Sequence, residues 1–194
     1  MRLVVFILAA AAALLGQEHE AAEAREKGAI KVHGHWVMEV KNPDGSTASR
    51  KEFENSLSTG ANNGNNLLTL LLTGGLTPAN WEVTIGGGPA APNAVYILSP
   101  NCLLVQGTTC FPNLTVTVSN RQIVLQGTTS AMTISFPISV VQTAMNDCSP
   151  NVSPSGCIAG TTFNGAFGFT QASVTGLTVQ VGQMIAVTVT ISFS

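Results

Sequence analysis

The stretch Leu177-Thr-Val-Gln-Val-Gly-Gln-Met-Ile-Ala-Val-Thr-Val-Thr-Ile-Ser-Phe-Ser194 decides how the chain is read. From residue 185 onward, Ile185, Val187, Val189, Ile191 and Phe193 alternate with Ala186, Thr188, Thr190, Ser192 and Ser194. A period of two built from β-branched residues predicts a strand with one apolar face. So apolar a segment must be paired inside a sheet, because an open edge of this kind invites aggregation. Gly182-Gln183 breaks the alternation, which predicts a bend or bulge between residues 177–181 and the strand proper. The rest of the chain is then expected to supply the sheet that receives this strand.

Working outward, the preceding residues carry many short apolar runs separated by turn signals. Residues 81–85 read as a strand, closed by Gly86-Gly-Gly88 and Pro89-Ala-Ala-Pro92. Residues 95–98 are short and apolar. Residues 114–118 and 122–126 read as a hairpin around Ser-Asn-Arg. Residues 133–141 alternate Ile134, Phe136, Ile138 and Val140, and Pro137 within them predicts an edge position or a bulge. Residues 161–173, with Phe163, Phe167 and Phe169, are expected in the same sheet. Nearer the start, residues 30–40 place Val32, Gly34, Trp36, Met38 and Val40 on one face, and His33, His35, Val37 and Glu39 on the other. Asn42-Pro-Asp-Gly45 is a strong turn signal, and residues 46–53 form the return strand of a hairpin. The run Leu67-Leu-Thr-Leu-Leu-Leu72 lacks β-branched aliphatics, so it reads as a helix of two or three turns capped by Gly74. Together these elements predict a mainly β fold: an antiparallel β-sandwich with an N-terminal hairpin and at most one short helix.

The first residues read as an address. Met1-Arg2 precedes an apolar run over residues 3–15, the length of a signal-peptide core and too short to span a membrane. The expected organisation is a signal peptide over residues 1–16, a charged leader over 17–29 and one β-rich domain over 30–194. The mature protein is then secreted, with no membrane span. Cys102, Cys110, Cys148 and Cys157 fit an oxidising compartment. Three pairings are possible; local pairing, 102–110 and 148–157, is preferred because each intervening segment reads as a loop. Spacings of eight and nine, with no nearby His, do not match a zinc motif.

Charge is low and unevenly placed. Charged residues make up 9% of the chain, against roughly a quarter in an average protein. Fifteen of the 18 lie at or before Glu54, so the last 140 residues carry only Glu82, Arg121 and Asp147. No basic patch for nucleic acid can be made from that. Paired carboxylates for glycoside hydrolysis and a Ser-His-Asp site lack the residues they need. Gly86-Gly-Gly88 leads into Pro rather than into Lys and a helix, so it is no phosphate cradle. No catalytic residue and no cofactor is assigned. One metal candidate stands, His33 and His35 with Glu39, since alternate residues of a strand share a face. The plainer reading is the polar face of an amphipathic strand. Asn113-Leu-Thr115 and Asn151-Val-Ser153 fit glycosylation acceptors.

The order of a Leu-rich helix, Trp81-Glu-Val-Thr-Ile-Gly-Gly-Gly-Pro-Ala-Ala-Pro92, alternating strands and the 182–194 terminus resembles phage-tail-fibre-like β-domains over about residues 64–194. The signal segment, the charged hairpin and the cysteines depart from that pattern and imply an exported relative. The resemblance brings no catalytic residues with it. Two functions are expected. The first is a secreted self-assembling surface protein, a fibre, spike or coat subunit whose partner is itself; an uncharged surface has little repulsion to keep copies apart. The alternative is a monomeric adhesin that binds a surface glycan through loops at 86–93 and 146–160, with Trp81 and Tyr96 as the aromatics to inspect.

Overall fold

The computed structural model describes residues 30–59, 63–102, 108–153, 157 and 163–194. The chain divides into two compact units, Val32–Phe193 and a second made of Met1–Lys31 with Ser194. The first holds all the strands and the helix described below. In the second, Lys31 and Ser194 exchange backbone hydrogen bonds of 2.8 and 3.0 Å.

The strands are β1 (Val32–Lys41), β2 (Thr47–Leu57), β3 (Thr77–Gly87), β4 (Ala91–Leu98), β5 (Thr109–Phe111), β6 (Thr115–Ser119), β7 (Gln122–Thr128), β8 (Phe136–Cys148), β9 (Phe163–Val179) and β10 (Met184–Phe193). Among the described residues one α-helix, α1 (Gly64–Thr73), follows β2. The described fold is thus mainly β with one short helix. The strands form one sheet in the order β5-β4-β3-β8-β9-β2-β1-β10-β7-β6. A sandwich would hold two separate sheets, but here β2 joins the halves. It pairs with β1 along most of its length, and its last residues, Ser56 and Leu57, pair with Gln171 and Thr170 of β9. All pairings are antiparallel except β4 with β5, which is parallel.

The sheet curls onto itself. Phe169 of β9 and Phe193 of β10 are separated by β2 and β1 in the strand order. Three strand spacings would put them about 14 Å apart in a flat sheet. Their ring centroids lie 6.4 Å apart, so the two halves face each other across the core. That core holds Trp36, Met38 and Val40 of β1, Val83 and Ile85 of β3, Leu98 of β4, Leu125 of β7, Phe136 and Ile138 of β8, and Val179 of β9.

The terminal strand sits in the middle of this arrangement. β10 pairs with β1 from Met184↔Lys41 to Phe193↔Val32, and with β7 from Ala186↔Thr128 to Ser192↔Gln122. Ile185, Val187, Val189 and Ile191 are fully buried, and Phe193 packs partly buried against the same core. The strand therefore closes its own chain's sheet. The break at Gly182-Gln183 is a turn: Gly182 has φ +84°, Gln183 N–H donates to Gln180 O at 3.1 Å, and Gly182 N–H donates to Met132 O at 2.8 Å. Residues 177–179 are not a separate arm. They end the long β9, which does not touch β10 in the ladder because β2 and β1 lie between them.

The local punctuation acts as its chemistry dictates. Asn63 caps α1 by accepting from Asn66 N at 2.8 Å, and Gly74 ends it in the left-handed region at φ +67°. In the β1–β2 turn, Gly45 takes φ +85° and donates to Asn42 O at 2.9 Å. Asp44 accepts from Ser46 N at 2.9 Å and Ser46 Oγ at 2.6 Å, and these bonds hold its carboxyl below the ordinary range. Pro137 lies in an interior strand, yet the β3–β8 ladder ends at Gly86↔Val140, leaving Pro137 a neighbour only in β9. A register shift between Ile138 and Val140 adds the bulge.

One network of polar groups joins the halves of the fold. Asn55, with its amide oriented by its surroundings, donates to Gly34 O at 3.1 Å. Its oxygen accepts from Trp36 Nε1 at 2.6 Å and Thr170 Oγ1 at 2.8 Å. Thr170 in turn shares a hydrogen bond of 2.7 Å with Thr143. This chain crosses from β1 through β2 and β9 to β8, at the place where the sheet turns the corner. Gly34 is what admits it, since a Cβ there would lie 1.7 Å from the Asn55 amide.

Candidate assembly surface

The surface is built from two kinds of strand. On β1 and β2 most outward positions are charged or carry His, with Val37 among them, while alternate residues of β1 face the core. His35 Nε2 meets Glu52 Oε1 at 2.9 Å, Glu39 meets Lys41 at 2.7 Å and Arg50 at 3.9 Å, and Arg50 meets Glu52 at 3.0 Å. The sequence placed His33, His35 and Glu39 together as a metal candidate. They do share the outward face, but His35 and Glu39 turn to these neighbours on β1 and β2. No group of three or more His, Cys, Asp or Glu side chains is arranged to hold a metal ion among the described residues. Exposed pairs of this sort contribute little stability, and here they make a balanced, solvated face.

Beyond Glu54 the surface is different in kind. Of the three charged residues there, Glu82 is 4% exposed and Asp147 3%. Asn146 donates to the Glu82 carboxylate, and burial pushes that carboxyl's pKa up. Arg121 alone is exposed. Residues 55–194 therefore meet solvent with one charged side chain, and Thr, Ser, Asn, Gln and Gly share the rest of that surface with the exposed Leu72, Val95, Val118, Ile134 and Val181. The cysteines pair locally, Cys102 with Cys110 and Cys148 with Cys157, at Cα separations of 5.8 and 5.7 Å. The first pair ties the end of the β4 region to β5, and the second ties down the end of β8.

The aromatics considered for glycan stacking are turned inward. Trp81 meets Phe169 edge-on at 5.3 Å. Tyr96 is buried and stacks on Phe136 at 5.2 Å and Phe111 at 6.2 Å; burial raises its hydroxyl pKa. A shallow depression lined by Pro92, Asn93, Val95, Thr108 and Thr109 opens near the expected 86–93 loop, with no aromatic ring in its wall. Much of that expected loop is strand instead: residues 86–87 end β3 and 91–93 begin β4. The second expected loop lies partly outside the described residues, and the signal peptide over residues 1–16 and the leader over residues 17–29 lie wholly outside them. Asn113 and Asn151 are both exposed, and the Asn113 amide donates to Thr128 O.

The two ends of the sheet differ. β5 has three residues, and its central Cys110 is clamped by a disulfide. β6 has five, Thr-Val-Thr-Val-Ser, and pairs only with β7. Val118 is 72% exposed. The strand contains no Lys, no Pro and no register shift, which are the devices that normally blunt an edge. The sequence shows β6 as half of a hairpin. That its outer side has no neighbouring strand among the described residues follows only from the strand order. No protein-family model, curated protein or solved structure matches this chain.

Proposed function

We propose that this protein is an exported, non-catalytic structural subunit that assembles with copies of itself into a fibre, spike or coat. The observation that carries this reading is the surface of residues 55–194, on which Arg121 is the one exposed charge. Net charge and dispersed surface charge keep soluble proteins apart, and this surface has almost none. Two locally closed disulfides suit an oxidising compartment, and the apolar run over residues 3–15 suits export to it. The resemblance of residues 64–194 to phage-tail-fibre-like β-domains points the same way. Light scattering on the mature protein tests the reading, with electron microscopy of producing cells as the view in place. Particles well above the monomer mass, growing with concentration, support it. A monomer at every concentration rejects it in favour of a single-copy adhesin.

A further inference from the structure

We propose that the open edge of β6 is a self-pairing surface, where two copies of the chain join antiparallel about Thr117. This rests on the assembly reading above and names one contact within it, the one that pairs copies into dimers.

The geometry follows from the β6–β7 hairpin. Asn120 and Arg121 both have positive φ, 47° and 62°, so they form the two-residue turn whose twist matches the strands. Ser119 and Gln122 flank it and face each other. In such a hairpin the flanking pair exchanges both of its backbone hydrogen bonds, and hydrogen-bonded pairs then alternate along the ladder. Thr117↔Val124 and Thr115↔Gln126 are therefore bonded pairs. Val116 and Val118, opposite Leu125 and Ile123, point their N–H and C=O groups away from β7 toward the open side. Four backbone groups, two donors and two acceptors, are thus presented at residues i and i+2.

That arrangement is self-complementary. A second β6 running antiparallel with Thr117 opposite Thr117 sets Val116 against Val118 of the second copy, and Val118 against its Val116. Each of these is a bonded pair, so all four outward groups find partners on both chains. A two-fold axis through Thr117 makes the contact isologous and closed. Val118, exposed here, would gain an apolar neighbour, and the two Thr117 side chains would meet as a close non-bonded pair, a favourable cross-strand combination. Nothing on the segment opposes it: residues 109–120 hold no charged side chain. A lysine or glutamate at residue 117 would have set like charges directly opposite each other across the axis. At the other end of the sheet β5 is shorter, and its disulfide fixes it to the chain before it.

The test uses the mature full-length protein. Val118→Pro removes an N–H that faces away from β7, so the intrachain ladder stays whole, and edge positions tolerate proline. It should weaken association at least tenfold in sedimentation velocity, with unchanged circular dichroism. Thr117→Cys should cross-link to itself under mild oxidation, because directly opposed non-bonded residues bring Cα atoms to about 4.5 Å. Thr115→Cys should not, because the register sets the two copies of residue 115 roughly 13 Å apart along the strands. Both cysteine variants are read against the wild type on non-reducing gels. If the wild type is a monomer throughout, the assembly reading itself fails. If it assembles but Val118→Pro is without effect and Thr117→Cys stays free, assembly uses another surface and the β6 inference is overturned. If Thr115→Cys cross-links as well as Thr117→Cys, the register is wrong.

Discussion

Ile191→Ala is the sharpest probe of the terminal strand. Ile191 is fully buried in β10, flanked in the ladder by Gly34 of β1 and Ile123 of β7. The change deletes three carbons, or about 2.4 kcal/mol at 0.8 kcal/mol per buried CH₂. The space left behind adds to this. Gly34 has no side chain to move in, and the Asn55 amide beside it is held by Trp36 and Thr170. A residual cavity of roughly 50 Å³ at ~24 cal/mol per Å³ contributes about 1.2 kcal/mol more. The expected loss is therefore about 3.5 kcal/mol, a large part of the 5–15 kcal/mol available to a typical domain. Thr190→Ala is the control, since Thr190 points to the other face and should cost no more than about 1 kcal/mol. Urea unfolding of both variants with disulfides intact, followed by Trp fluorescence, gives the two values from midpoints at an unchanged slope. A loss below about 1 kcal/mol for Ile191→Ala, or equal losses at the two positions, would refute the placement of β10 at the centre of the core.

Peptide mapping without reduction should recover Cys102 joined to Cys110 and Cys148 to Cys157; each closure is worth about 2.5 kcal/mol in the chain-entropy model, and crossed pairs would contradict the strand ends described above. Gly34→Ala should destabilise by about 1–3 kcal/mol, because the new Cβ displaces the Asn55 amide and leaves Trp36 Nε1 buried without its acceptor; thermal unfolding indistinguishable from wild type would show that network to be unimportant. Glu82→Gln should change the pH dependence of stability. The folded-state pKa of Glu82 is raised above its ordinary value of 4.5, so the native state favours the protonated carboxyl. Its contribution is fully present below the unfolded pKa and is lost as pH rises through the folded pKa. The variant, neutral throughout, should gain on the wild type across that window and hold the gain above it. Asp44 has the opposite sign, but its lowered pKa places its effect at more acid pH. Denaturation midpoints between pH 4 and 8 that run parallel for the two proteins would count against a buried Glu82 carboxylate.

Local chemistry made much of this protein legible in its residues alone. The period of two in residues 185–193 gives the buried face of β10, since alternation depends only on how successive side chains leave a strand. The Asn-Pro-Asp-Gly turn, the Gly74 cap and the Leu-rich helix depend on the backbone preferences of a few neighbouring residues. The scarcity of charge past Glu54 is a count, and the local disulfides follow from short loops. Other features depend on which strand lies beside which, and no local pattern specifies that. The pairing of β2 with β9, which joins two expected layers into one curled sheet, rests on two residues at a strand end. Gly34 reads as a gap in an apolar face until β2 places Asn55 against it. Glu82 reads only as one of three charges past Glu54, and its burial against Asn146 of β8 follows from the strand order. β6 reads as an ordinary hairpin arm, and its open side is decided by tertiary structure alone, because it is an edge only in that no other strand of the described residues lies beside it.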